Sequence, residues 1–219
     1  MLHVNAPTHN PFYLSMGALS APALADLAPF FNNLPENSYQ DGGFRKRRFS
    51  AFVYENGSVR RLPKRAFAQS EDINHFQGGV VREYEDMEDA CCASTGFQEM
   101  MAHFCAQAKL AEGVEIEIHQ LRIFAQPNGM AEVAPEGVHQ DGFNRIGMFM
   151  INYEDLNGGE IRVHQAKDSP AFIERRFQEG EYIVLNDALF WHDANDIHAT
   201  RADRPGNYDL FVVTARQPE

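Results

Sequence analysis

Residues 135–142 read Pro-Glu-Gly-Val-His-Gln-Asp-Gly and place His139 and Asp141 two positions apart between two glycines. On an extended strand, side chains at positions i and i+2 point to the same face of the sheet. One imidazole nitrogen and one carboxylate oxygen can then reach a common point, as two ligands of one metal ion must. Gly137 and Gly142 permit a close approach of the backbone on either side of the pair. The motif therefore predicts half of a metal site at the entry of a strand.

The sequence around this motif has a β character from residue 114 onward. Apolar and polar residues alternate over much of 114–124, and Gly- and Asn-containing turn signals separate the later apolar stretches. Several short strands with such punctuation indicate a sandwich or jelly roll. The strand candidates are residues 114–124, 138–141, 146–153, 159–164, 182–185, 189–192 and 208–215.

The first 113 residues have a different pattern. A helix is predicted over 20–31 and a longer amphipathic helix over 89–112, ended by Gly113. Strands at 42–54 and 59–62 are joined by the tight-turn signal Asn-Gly.

Helices first and strands second predict an α+β fold. We expect a jelly-roll, cupin-like core over 114–216, with mainly helical and hairpin support from 1–113. A single domain over 1–219 is favoured over a boundary near residue 113, because half a chain of helices would not cover its own apolar faces.

The composition excludes some functions. The chain has 219 residues and a formal net charge of -12, which disfavours nucleic acid and anionic membranes as partners. The chain contains no run of about 18 apolar residues, so no transmembrane helix is predicted. The N-terminus lacks the pattern of a signal peptide, and three cysteines give no disulfide framework, so a cytoplasmic location is expected. A small-molecule substrate fits these properties. A homodimer is compatible with them as well.

A third metal ligand has three candidates in the later strands, namely His164, His192 and His198. His192 is the best placed, because it ends the apolar run 188–191 and should lie at an inner strand edge. His198 follows a loop-like segment, and His164 closes a short strand that could face solvent. His103 and His119 are interpreted as structural or surface residues.

Two histidines and one carboxylate on one face form the ligand set of non-haem Fe(II) sites, which leave positions open for other ligands. A bidentate 2-oxo acid and O2 fill such positions. The protein must also hold the distal carboxylate of the oxo acid, usually with an Arg or Lys.

At this point the sequence resembles the Fe(II)/2-oxoglutarate-dependent dioxygenases. Within them it is most similar to bacterial enzymes that hydroxylate free L-amino acids, typified by L-isoleucine hydroxylase. The resemblance implies a double-stranded β-helix in which His139, Asp141 and His192 bind Fe(II), with 2-oxoglutarate and O2 as co-substrates. The matching segments are 44–49, 119–122, 135–142, 158–160, 186–187 with His192, and 209–214.

One position departs from the family pattern, which places an Arg directly before the Asp of the final strand. This sequence has Tyr208 there. The candidates for carboxylate binding are Tyr208 itself, Arg122, which has the Gln-x-Arg context of the family, and Arg204. Arg162 and Arg201 are further alternatives.

Because Tyr208 replaces the Arg of the family pattern, two other functions stay open. A metal-dependent β-barrel oxygenase or isomerase could use its substrate directly as a ligand, without 2-oxoglutarate. A non-enzymatic barrel could bind a small molecule beside a vestigial site.

The basic run 45–48 lies between two phenylalanines. In a chain of this net charge, an ion-paired strand is favoured over a nucleic-acid patch. A third interpretation has one of these arginines facing the site and holding a substrate carboxylate. Three aromatic residues could wall an apolar pocket, although each also suits an ordinary core: Phe143, Phe149 and Trp191.

Overall fold

Antiparallel strands dominate the computed structural model, which describes residues 14–69 and 78–218. The strands, in chain order, are β1 Leu14–Ala18, β2 Arg45–Glu55, β3 Ser58–Arg61, β4 Glu115–Ala125, β5 Met130–Ala131, β6 Arg145–Glu154, β7 Leu156–Gly158, β8 Ile161–His164, β9 Ala171–Arg175, β10 Glu181–Leu185, β11 Trp191–Ala194, β12 Ile197–Ala199 and β13 Gly206–Ala215.

Seven of these strands form one large sheet in the order β1-β10-β6-β13-β4-β2-β3. The short strands form two three-stranded sheets, β11-β8-β9 and β5-β12-β7. This arrangement is the double-stranded β-helix, so the predicted jelly-roll core with flanking helices is confirmed. In the described part of the chain, no helix is long and apolar enough to cross a membrane.

The helices precede most of the strands, as predicted. They are α1 Ala21–Leu27, continued by a 3-10 turn over Ala28–Phe31, then α2 Asp89–Ala93 and α3 Thr95–Ala108. The single helix expected over 89–112 is broken at Ser94, which is extended and whose side chain accepts a hydrogen bond from the backbone N–H of Phe97. That bond caps α3 at its start. The helix ends at Lys109, in the left-handed conformation, ahead of Gly113.

The large sheet is apolar on both faces, and each face has its own core. On β4, Ile116 and Ile118 pack with the buried side of α3, whereas Leu121 and Ile123 pack between the sheets. The strands β6 and β13 divide their apolar residues in the same way. Because successive side chains alternate between faces, the helices cover one side and leave the other side for a cavity.

Sequence patterns missed five short strands. The strands β1, β5, β7, β9 and β12 were not predicted, and each has five residues or fewer. Residues 138–141 were expected as a strand but make only an isolated bridge, between His139 and His192. The expected hairpin is β2–β3, and together with β1 it belongs to the large sheet, so the N-terminal part contributes three strands to the core.

Gly159 gives a test of packing between the sheets. It has φ +75°, and a Cβ there would lie 2.9 Å from the Tyr208 ring and 3.0 Å from Ile197. Gly113 has φ +83° with no atom near the corresponding position. We expect Gly113→Ala to lower the free energy of unfolding by about 1 kcal/mol. We expect Gly159→Ala to cost roughly 1–3 kcal/mol more, because it also overpacks the core. Urea unfolding measures both, and equal losses would contradict the packing described.

Candidate active site

His139, Asp141 and His192 come together where the segment before β6 meets the start of β11. One ligand atom from each lies within 4.8 Å of the others. The His139 backbone N–H donates to the His192 carbonyl at 3.0 Å, and the His192 N–H returns the bond to the His139 carbonyl at 2.9 Å. This reciprocal pair holds the two imidazole rings 4.4 Å apart, centroid to centroid. It is the one such cluster of His, Cys, Asp and Glu among residues 14–69 and 78–218.

Each imidazole is oriented by its Nδ1 atom. The Nδ1 of His139 lies 2.8 Å from the Gly137 carbonyl oxygen, and the Nδ1 of His192 lies 3.1 Å from Oδ1 of Asp187. Each Nδ1 thus faces an acceptor oxygen, an arrangement that turns the Nε2 of each ring toward Asp141. The Nε2 atoms lie 3.7 Å and 3.6 Å from the Asp141 carboxylate.

Asp187 supports two members of the cluster, a role that was not predicted from the sequence, where residues 186–187 were noted as a segment matching the family. It is fully buried, and its Oδ2 accepts a 2.7 Å hydrogen bond from the backbone N–H of Asp141. Burial raises the pKa of Asp187, although contact with His192 opposes that shift. Burial lowers the pKa of His192, but Asp187 and Asp141 outweigh burial and leave it raised. An acidic residue just before the apolar run leading to His192 was the available signal.

This arrangement fits Fe(II). The donors are two imidazoles and one carboxylate, the mixed set that non-haem Fe(II) sites use, and the contacts with the Gly137 carbonyl and Asp187 orient the two rings. The alternative ligands are placed elsewhere. His198 is exposed on β12, and His164 is buried with its Nε2 3.1 Å from Oδ1 of Asp193.

A cavity of about 150 Å³ opens beside the cluster. One wall is aliphatic and comes from the inner faces of the large sheet and β8: Leu121, Ile123, Ile146, Met148, Ile161, Leu210 and Val212. Of the aromatic residues proposed as walls, Phe149 is buried in the core beneath the helices. The Trp191 ring lies under Lys167, the Phe143 ring lies under Arg216, and neither aromatic residue lines this cavity.

The opposite wall is basic and comes from β2. Arg45 and Arg47 line the cavity, while Lys46 and Arg48 alternate to the other face and pair with Glu36 and Glu85. The ion-paired strand predicted for 45–48 is therefore present, and two of its arginines also face the cavity.

Comparisons with known proteins agree with this geometry. The profile of the 2OG-Fe dioxygenase family matches residues 28–214. The chain belongs to this family. The family uses Fe(II), 2-oxoglutarate and O2, the set expected from the sequence.

Two solved structures show the same fold. A BsmA homologue from Methylobium petroleophilum PM1 is 24% identical, with 90% of this chain and 81% of that chain covered and a TM-score of 0.77. The structure of IDO from Bacillus thuringiensis is 14% identical, with 95% of each chain covered and a TM-score of 0.78.

The bifunctional enzyme FlvA of Aspergillus flavus is 20% identical over 199 residues, 77% of this chain. The match spans 24% of the length of FlvA.

The three residues predicted to bind a dioxygenase co-substrate lie in different places. Arg122 does not line the cavity and is held by Asp209, with its Nε 2.6 Å and its Nη2 2.7 Å from the two carboxylate oxygens. Arg204 is exposed and pairs with Asp155. Tyr208 does line the cavity, but its hydroxyl donates to the Gly159 carbonyl at 3.1 Å. Burial raises the pKa of Tyr208, so this phenol is neutral at physiological pH.

His119 also lines the cavity, although the sequence suggested only a structural or surface role. Its ring packs against Phe67 at 4.5 Å and Phe49 at 4.9 Å between centroids. Burial lowers the pKa of His119 well below its ordinary value, and the nearby arginines add to the shift. His103, by contrast, lies near Glu99 and is about one-third exposed.

The depressed pKa of His119 makes stability depend on pH. The unfolded chain takes up a proton on this histidine below about pH 6.5, whereas the folded protein does not. The free energy of unfolding should therefore fall below that pH, by up to ~1.4 kcal/mol per pH unit from this group. Urea unfolding of metal-free protein at several pH values should show a shallower fall for His119→Gln than for wild type. His103→Gln is the matched control for the loss of an imidazole elsewhere in the protein. Equal slopes in all three proteins would contradict the assignment.

Proposed function

We propose that this protein is an Fe(II)- and 2-oxoglutarate-dependent hydroxylase of a free L-amino acid or a close derivative. Its iron ligands are His139, Asp141 and His192. The observation that carries the proposal is the convergence of two Nε2 atoms and a carboxylate at one point beside a cavity, with both Nδ1 atoms directed at acceptors.

The side chains of the site have separate roles in the proposed reaction. Bound iron supplies the activation of O2 that is coupled to oxidative decarboxylation of the oxo acid. The two imidazoles and Asp141 would hold the metal beside the cavity. Asp187 holds the imidazole of His192 and the backbone of Asp141, so the ligand positions are set before the metal arrives. The aliphatic wall limits water around the reacting carbon.

The substrate class is supported by the size and lining of the cavity. A volume of about 150 Å³ suits a small molecule. The aliphatic wall would contact an apolar side chain, and the β2 arginines would face a carboxylate. On the same footing we propose one dioxygenase domain over residues 1–219. We also propose a cytoplasmic location, which suits three free cysteines.

Turnover tests the proposal directly. Protein loaded with Fe(II) without oxygen, then given 2-oxoglutarate, O2 and a panel of L-amino acids, should form succinate and a hydroxylated amino acid. His192→Ala should lower succinate formation by at least about 100-fold, because it removes a metal ligand. His198→Ala should retain wild-type turnover, since this histidine is exposed on β12. Mass spectrometry of the products measures both. Absence of succinate and of any hydroxylated product from the wild type would reject the function.

Asp187 should set the metal affinity. Asp187→Asn removes the carboxylate that holds the imidazole of His192, and we expect Fe(II) affinity to fall roughly 10- to 100-fold. Asp155→Asn removes the same charge from a carboxylate that pairs with Arg204, and it should bind Fe(II) as the wild type does. Anaerobic competition with a chromophoric chelator measures the affinities. Wild-type affinity in Asp187→Asn would show that the imidazole needs no such support.

A further inference from the structure

Two arginines of β2 line the cavity and are not ligands of the proposed metal site. Arg45 and Arg47 are 7% and 8% exposed. Their Nε atoms are buried and have no hydrogen-bond partner. A buried N–H donor without an acceptor costs free energy comparable to a lost hydrogen bond, so this wall favours a ligand that carries acceptor oxygens.

The two arginines of β2 share an acidic neighbour. Arg45, Arg47 and Arg82 line this part of the cavity, and the carboxylates of Asp41 and Glu136 act on Arg45. Asp41 is buried and pairs with Arg47 and, at 3.7 Å, with Arg45. Two buried guanidinium groups therefore pair with one carboxylate. Burial and the neighbouring Arg47 lower the pKa of Arg45 to about 10, so Arg45 is still charged at neutral pH.

The guanidinium of Arg45 is held in place by backbone carbonyls. Its Nη2 donates to Val133 at 2.5 Å and to Glu132 at 3.3 Å. This contact ties β2 to the segment that leads into His139. Arg45 also pairs in register with Ile123 of β4, which pairs in turn with Tyr208 of β13. Arg45 therefore supplies a fixed positive charge in the same row across the sheet in which Tyr208 supplies none.

We propose that Arg45 and Arg47, with Arg82, form the carboxylate-binding end of the cavity. A guanidinium offers a planar pair of donors that matches the two oxygens of a carboxylate. The carboxylate belongs either to 2-oxoglutarate or to the amino-acid substrate, and one set of titrations distinguishes them. The assignment rests on the proposed function only in taking a carboxylate ligand beside the metal site.

The test uses neighbouring residues of one strand. Arg45→Gln and Arg47→Gln each remove a charge from the cavity, whereas Lys46→Gln removes the same charge from the opposite face of β2. Calorimetric titration of anaerobic, Fe(II)-loaded protein with 2-oxoglutarate gives one Kd. Titration with a panel of L-amino acids in the presence of 2-oxoglutarate gives the others. We expect roughly 10- to 100-fold weaker binding of one carboxylate ligand in both arginine variants, as for the loss of a charged hydrogen bond. Lys46→Gln should match the wild type.

The ligand that is weakened identifies the source. Loss confined to 2-oxoglutarate assigns the arginines to the co-substrate, and loss confined to the amino acid assigns them to the substrate. If every carboxylate that the wild type binds is bound equally well by both variants, or if the wild type binds none, the inference is wrong.

Folding and metal binding are checked separately. Because Arg47→Gln leaves Asp41 buried beside fewer cations, the double variant Asp41→Asn/Arg47→Gln is titrated as well, with melting temperatures for all variants. Fe(II) affinity should be unchanged in every variant. A wild type that binds no Fe(II) would reject the proposed function, while titration of metal-free protein with the same carboxylates would still test the arginines.

Discussion

Two backbone hydrogen bonds between His139 and His192 bring together segments that are far apart in the sequence. They join the loop before β6 to the start of β11, so the two imidazoles reach one point only when the barrel is closed. Gly137 and Asp187 then fix which nitrogen of each ring faces that point. The metal-binding geometry therefore depends on the native strand register. A strand that slipped by one residue would turn its side chains to the other face of the sheet.

Successive side chains along each strand alternate between the two faces of the large sheet, and the two faces have different environments. One face packs against α3 and forms one of the two hydrophobic cores. The other face turns aliphatic side chains and two arginines into the cavity. The run 45–48 illustrates the division, since its odd-numbered residues face the cavity and its even-numbered residues pair with acidic side chains outside. A basic run in the sequence therefore serves two environments.

The sequence was sufficient for the β-rich core, the flanking helices and the three clustered residues, because each depends on local periodicity or on a compact motif. It missed Asp187, since a buried carboxylate and an exposed turn residue look alike without the tertiary contact. It placed Arg122 among the carboxylate binders, yet the strand register turns that side chain to Asp209. Residues 138–141 were expected to be a strand, but closure of the barrel leaves only one bridge there.

The central claim is that His139, Asp141 and His192 hold one iron ion in the positions described. Anomalous diffraction at the iron edge, from crystals grown without oxygen in the presence of Fe(II), locates the metal directly. One strong peak is expected within bonding distance of the Nε2 atoms of His139 and His192 and of a carboxylate oxygen of Asp141. A peak at His164 or His198, or no peak at the triad with iron in excess, would contradict it.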